Sequence, residues 1–418
     1  MPSRYSPGSA VRHTFRAFRH RDFRLMWIGA CVSTTGTFVQ QFAQSWLVYD
    51  LTKSPFYLGL DLFLGQLPIM LFSLFGGVFA DRLDRTKMLL YSQYIQMICA
   101  FVLAALFFSH TVRIWHILTL SFLVGCGQSF GGPAYSALLP TLVKGEDLPN
   151  AIAMNSIQFN LARVLGPMLG GLAYTSLGAT WCFALNGISY LAVILTLFMI
   201  QVKFVPPISQ ESVMKSMREG IRFIRQREGL APLVVLAFCT TLLGFSLTGF
   251  LPVIVQTIFH KGPQTFELLL VFSGAGSIAG ALIVAAMERL KGLGHVVLLT
   301  LAALGAATAG FALSRWLPLS CVLIFLAGAA IMGSASLMLS LVQLIVSDQM
   351  RGRVMSVYNL AFRAGMPLGS LALGKLIPIF GVSWALAGSG GILIGVSLYF
   401  LVVMRNVATF RRITKGGG

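Results

Sequence analysis

Twelve apolar stretches of membrane-spanning length run through this chain, and no water-soluble core could bury them all. Their approximate limits are 23–48, 55–80, 87–109, 114–138, 151–177, 181–202, 230–259, 265–287, 296–314, 317–346, 353–380 and 382–404. Roughly 20 apolar residues cross a bilayer as a helix. In lipid the backbone must satisfy its own hydrogen bonds, so spans of this length are helices. Charged residues make up 11% of the 418, where soluble domains carry about 25%. The expected fold class is an all-α membrane protein with twelve transmembrane helices. A polar stretch from Lys203 to Glu228 separates six spans from six. The expected organisation is a tail at 1–22, a six-helix bundle at 23–202, a linker at 203–229, a second six-helix bundle at 230–404, and a tail at 405–418.

A net charge of +18 raises the question of a nucleic-acid partner, and its placement argues against one. With both termini in the cytoplasm, the inner segments carry 24 of the Lys and Arg residues and the outer loops carry four, Lys53, Arg113, Lys261 and Arg315. That asymmetry is the positive-inside rule. Trp115, Trp181, Trp316 and Trp384 each open an even-numbered span at its expected outer end, as interfacial tryptophan belts do. The six cysteines lie in apolar segments without a CxxC. They read as small packing residues, with no disulfide, metal or cofactor expected. The Arg-rich N-terminus lacks the short apolar core and cleavage site of a signal peptide.

Trp115 and Trp316 are 201 positions apart and Trp181 and Trp384 are 203 apart; Arg163 and Arg363, and Pro167 and Pro367, are 200 apart. Four pairs near one offset make the halves parallel repeats about an axis along the membrane normal. Transporters built this way hold substrate at the midplane between repeats. Between the halves, Val213, Met214, Met217, Ile221 and Ile224 recur at helical spacing opposite Lys215, Arg218, Arg222 and Arg225. This is a basic amphipathic helix for the inner membrane surface, serving as connector or lipid sensor.

Between spans two and three stands GGVFADRLDRTK. Gly76 and Gly77 suit close approach to a neighbouring helix, and Asp81, Arg82, Asp84, Arg85 and Lys87 crowd one short turn. The segment resembles the G-x-x-x-D-R-x-G-R-R loop of the major facilitator superfamily through Gly77, Asp81, Arg82 and Arg85, with Asp84 in place of the second glycine. PAYSALLPTLVKGEDLPNAIAMNS (133–156) and SDQMRGRVMSVYNLAFRAGMPLG (347–369) extend the similarity to bacterial exporters of the enterobactin-exporter and macrolide-efflux group. The resemblance implies the major facilitator fold, two pseudo-symmetric six-helix bundles. It implies a cytoplasmic gate in which Asp81 latches span eleven and Arg82 and Arg85 complete the network. Arg163 and Arg363, about a third of the way into spans five and eleven from the inside, are read as further gate partners or as side chains that snorkel to the inner interface. GPMLGG in span five (Gly166, Pro167, Gly170, Gly171) resembles the family's antiporter motif, a bendable, closely packed helix. The second-half counterpart of the loop, GSIAGALIVAAMERLKG, keeps Gly280 but no DRxxR.

Of 13 acids, Asp61 alone sits deep in a span, and Glu267 lies near the outer end of span eight. Ionisable groups inside a bilayer are functional hypotheses by default. Asp61 is the first candidate for proton coupling and Glu267 the second. The resemblance places the cavity along spans one, four, seven and ten. There the sequence supplies Gln40, Gln44, Gln128, Tyr135, Thr241, Gln256, Met332, Ser336 and Gln343, with no charge among them. Gln40 and Gln44 share a helix face. Neutral amides, hydroxyls and flexible methionines suit an amphiphilic small molecule.

The expected function is a proton-coupled exporter of such a molecule by alternating access. It would work as a monomer among membrane lipids, multi-pass in a bacterial inner membrane, with both termini cytoplasmic. An uncoupled facilitator or lipid flippase, and a non-transporting receptor or scaffold, are the competing expectations. No nucleophile–base pair or phosphate loop points to an enzyme; the glycine-rich run GAGSIAG (274–280) lies inside a span, not after a strand.

Overall fold

A computed structural model describes residues 15–200, 213–227, 229–287 and 293–404. The spans form as helices close to their expected limits. A 3₁₀ turn, Arg16–Arg19, precedes α1 (Arg21–Thr52), α2 (Pro55–Arg82), α3 (Arg85–Phe108), α4 (Ile114–Leu138), α5 (Leu148–Leu177) and α6 (Ala179–Met199). After the linker helix α7 (Val213–Gln226), span seven is broken into α8 (Leu230–Cys239), a π segment at Thr240–Phe245, α9 (Ser246–Gly249) and α10 (Leu251–Thr257). Then follow α11 (Pro263–Ala286), α12 (Leu293–Leu313), α13 (Leu317–Ile345), α14 (Asp348–Phe380) and α15 (Val382–Met404). Ten stretches among the described residues are long and apolar enough to cross a membrane. The other two expected spans are α1, with 32 residues, and α5, with 30; both are long enough but more polar. The described residues are helical without strands, as the composition requires.

The chain divides into two compact units. One gathers the described residues of Met1–Ala43, Leu71–Val112 and Leu123–Ser209; the other gathers those of Gln44–Met70, Arg113–Phe122 and Gln210–Gly418. In the first unit, the end that carries the DRLDR turn has a core of Phe23, Met26, Leu89, Leu138, Met154 and Leu197. Here the 3₁₀ turn is pinned to the start of α5. His20 Nε2 lies 2.9 Å from Asp147 Oδ2, Arg16 Nε lies 3.5 Å from Asp147 Oδ1, and Ala17 N donates to Asn150 Oδ1 at 2.9 Å. In the second unit, the opposite ends of α1 and α2 pack with second-half helices. Trp46 stacks on Phe266 at 6.0 Å, and Lys53 Nζ donates to Gln256 Oε1 at 3.1 Å. A Cβ on Gly59 would strike the Ser370 carbonyl and come 3.1 Å from Gly374 Cα.

The 200-residue repeat is visible in packing. In the first unit, Cβ atoms on Gly166 and Gly170 of α5 would meet Phe38 and Phe42 of α1. In the second unit, Cβ atoms on Gly365 and Gly369 of α14 would meet the carbonyls of Phe238 and Leu242, each 200 positions beyond its counterpart. Likewise Gly76 of α2 abuts the Ser129 carbonyl, and Gly280 of α11, one turn beyond the 200-residue offset, abuts the carbonyl of Ala329, which is 200 positions after Ser129. Glycine removes the side-chain bulk that would hold such backbones apart. The four tryptophans opening even spans are all at least half exposed, consistent with a lipid-facing belt.

The linker helix forms as expected and also docks. Glu219 Oε2 is 2.8 Å from Arg353 Nη1, and a Cβ on Gly220 would lie 2.5 Å from the Arg353 carbonyl. Ile224 is buried while Lys215, Arg218, Arg222 and Arg225 remain exposed; the side chains of Val213 and Met214 lie outside the described residues.

Candidate functional site

Three helices bring Asp61 its partners. It sits in the second turn of α2 and is 4% exposed. Gln44 of α1 donates Nε2 to both carboxyl oxygens, at 3.1 and 2.9 Å, and Ser121 of α4 donates to Oδ1 at 2.5 Å. The same Gln44 nitrogen lies 2.8 Å from Ser121 Oγ. All of these partners are neutral. The hydroxyl of Ser121 can donate to a carboxylate or accept from a carboxylic acid. One partner of Asp61 can thus bond to either protonation state of its carboxyl. Sequence placed Asp61 inside a span without partners; the structure supplies Gln44 and Ser121. Glu267, the second candidate, is half-buried in the second turn of α11.

A second polar assembly lies near the middle of α1, α3, α4 and α6. Asn186 Nδ2 donates to Gln40 Oε1 at 2.7 Å and to the Tyr190 hydroxyl at 3.4 Å. Tyr190 donates to Gln96 Oε1 at 3.3 Å, and Gln128 Nε2 reaches the same oxygen at 3.3 Å. Thr37 Oγ1 lies 3.4 Å from the Tyr190 oxygen. Gln96 Nε2 ends on the Ser92 carbonyl and hydroxyl at 3.2 and 3.1 Å, and Ser92 Oγ donates to the Gly127 carbonyl at 2.7 Å. Gln96, Asn186 and Tyr190 are at most 3% exposed. Sequence reading singled out Gln40 and Gln128 but missed Ser92, Gln96, Asn186 and Tyr190. The available signal was polar residues four apart, Ser92 with Gln96 and Asn186 with Tyr190, in otherwise apolar helices.

The other cavity candidates are dispersed. Tyr135 donates to Asn155 Oδ1 at 2.7 Å. Thr241, in the π segment, bonds back to the Ala237 and Phe238 carbonyls and meets Gly365, so it serves helix packing. Gln256 accepts from Lys53, and its buried amide nitrogen has no partner among the described residues. Met332 and Ser336 are half-buried and Gln343 is exposed.

At the gate motif, Asp84 caps α3 by accepting from Thr86 N and Lys87 N at 2.9 and 3.3 Å, and Arg85 Nη1 donates to the Ala137 carbonyl at 3.0 Å. Arg82 is exposed. The Asp81 side chain lies outside the described residues. The close approach expected of both glycines belongs to Gly76; a Cβ on Gly77 would meet nothing within 4 Å. Arg163 is half-buried in α5 and Arg363 exposed on α14. In the helix-bend motif Gly166, Pro167, Gly170 and Gly171 are all buried within one continuous helix, and Gly166 and Gly170 make its close contact with α1.

These observations define a polytopic helical protein built from two repeats, with a buried protonatable group and neutral polar assemblies at membrane depth. Its residues 12–413 match the model of the transmembrane secretion effector family, and the chain belongs to that family of major facilitator transporters. It is similar to macrolide efflux protein A of Streptococcus pyogenes, 23% identical over 90% of this chain and 94% of that one. It is also similar to the enterobactin exporter EntS of Citrobacter koseri, 24% identical over 92% of each. Among solved structures, a bacterial homologue of the human lysosomal transporter Spinster, inward-facing and occupied, matches with TM-score 0.72 at 14% identity, over 94% of this chain and 98% of that one. That likeness shows the fold. The protein is thus a multi-pass membrane transporter.

Proposed function

We propose that this transporter is a proton-coupled exporter of an amphiphilic small molecule, a drug, siderophore or similar, by alternating access. It works in a bacterial inner membrane with both termini cytoplasmic. The bundles at 23–202 and 230–404 rock about the 203–229 linker, and the Asp81–Arg82–Arg85 turn holds the cytoplasmic gate. The efflux activities of the relatives named above support the direction, and the uncharged candidate lining supports the cargo class. The observation that carries the coupling is the Asp61–Gln44–Ser121 cluster: a buried carboxyl whose hydroxyl partner can serve either protonation state.

Asp61 takes a proton from the outside when that side is open, and releases it inside after the cargo has left. The test is transport in proteoliposomes with an imposed pH gradient. Wild type should move cargo at least about tenfold faster with the gradient than without it, about 1.4 kcal/mol of barrier. Asp61→Asn should move it at the ungraded rate, whatever the gradient. Transport by Asp61→Asn that still responds to the gradient removes the coupling. Equal rates in wild type with and without the gradient favour an uncoupled facilitator.

A further inference from the structure

The polar assembly of the first unit has a direction, and that direction is set by an atom that cannot change. A backbone carbonyl only accepts hydrogen bonds. Gln96 must therefore turn its nitrogen toward the Ser92 carbonyl, 3.2 Å away. Its oxygen then faces Tyr190 and Gln128, which both lie at 3.3 Å. Gln128 has to offer its nitrogen to that oxygen. Its own carbonyl oxygen is thereby turned away from Gln96, on a side chain that is exposed. At the other end, Asn186 donates to Tyr190 and to the carbonyl of Gln40, at 3.4 and 2.7 Å, and accepts at Oδ1 from Ser189 Oγ at 3.1 Å. Each amide in the sequence Gln40, Asn186, Gln96, Gln128 thus has one orientation that satisfies its neighbours. Reversing any of them would set two acceptors or two donors face to face, and leaving buried groups unpaired is the costlier half of hydrogen bonding.

We propose that Gln96, Tyr190 and Asn186, which lie on helices outside the expected cavity lining, are positioning residues for cargo selection. They hold Gln128 with its carbonyl toward the cargo path, so the site prefers molecules that bring hydroxyl donors. This rests on the export reading above, in which α4 faces the cargo. It assigns selectivity to α3 and α6, where no substrate contact is needed. Gln128 two turns along α4 from Ser121 shares that residue's helix face, which keeps it on the side of the polar interior.

Two cargo probes separate donors from acceptors: erythromycin, and its per-O-acetylated derivative, which keeps the acceptors and loses the hydroxyl donors. Initial rates are measured in proteoliposomes for wild type, Gln96→Leu, Tyr190→Phe and Gln128→Leu. Wild type should favour erythromycin through KM. Gln96→Leu frees the Gln128 amide to turn either way and should cut that preference roughly fivefold, the worth of one neutral hydrogen bond, with kcat little changed. Tyr190→Phe, which keeps the ring and removes one donor to Gln96, should cut it less. Gln128→Leu should abolish it. An unchanged preference in Gln96→Leu and Tyr190→Phe, or a wild type indifferent to the donors, overturns the inference while leaving export intact. A wild type that moves neither probe sinks the export reading of this cargo class and the inference with it. Tyr190→Phe is nearly isosteric and guards against a Gln96→Leu protein that does not fold.

Discussion

Asp147 and Asp61 show how differently two buried carboxyls can be used. Asp147 lies outside the spans. The hydrogen bond from His20 holds its carboxyl below the usual carboxylate range, with Arg16 and Arg19 adding to the effect against some desolvation. A carboxyl whose folded value is depressed stabilises the fold at every pH above its unfolded value, about 4, and loses that contribution as acid titrates it. The detergent-solubilised protein should therefore lose melting temperature between about pH 5 and pH 3, and Asp147→Asn should flatten that loss. Parallel curves for the two proteins would mean that the clamp between the 3₁₀ turn and α5 adds nothing. Asp61 was legible in the sequence because an acid in an apolar run has few innocent explanations. Ser121 was not, since serine is common in spans, and nothing in a linear sequence brings position 121 to position 61. The His20–Asp147 pair, 127 positions apart, was illegible for the same reason.

Helix crossings depend on which glycine faces the neighbour, and adjacent glycines can have opposite roles. Gly76 abuts the Ser129 carbonyl, whereas a Cβ on Gly77 meets nothing within 4 Å among the described residues. Gly76→Ala should force α2 from α4 and destabilise by about 1–3 kcal/mol, the usual cost of overpacking. Gly77→Ala should leave stability unchanged or raise it by about 0.5–1 kcal/mol, because alanine loses less freedom in a helix. Thermal melts of the two variants in one detergent decide this; equal shifts would refute the assigned contact. The sequence displays both glycines but not the rotation of α2 that chooses between them. It also conceals the π segment in span seven. Thr-Thr-Leu-Leu-Gly-Phe has the composition of ordinary helix, and its widened turn appears only where Gly365 and Gly369 of α14 press against it. Such π insertions in α-helices frequently mark functional positions.

At the scale of the molecule, the repeat was readable from a few conspicuous residues. Tryptophans at lipid interfaces and an Arg and a Pro in matching spans kept the 200-residue offset, and the packing pairs Phe38 with Phe238 and Ser129 with Ala329 follow it. The amide assembly has no such echo, so the halves have diverged in polar chemistry while retaining their helix contacts. The proposed orientation rests on the Lys and Arg asymmetry and predicts a labelling pattern. In cells expressing a cysteine-free variant, single cysteines at Ser54 and Thr111 should react with a membrane-impermeant maleimide, and one at Leu83 should react only after permeabilisation. The reverse pattern would invert the topology and with it the assigned direction of transport. The amide assembly has one more consequence, an electrical one. Gln40, Asn186, Tyr190, Gln96 and Gln128 carry dipoles but no net charge, so the voltage across the bilayer does no work on these groups when their helices shift; one elementary charge would cost or yield about 2.3 kcal/mol per 100 mV. On the role proposed above, cargo selection by these groups is blind to the resting potential, which acts only on charges that move across it.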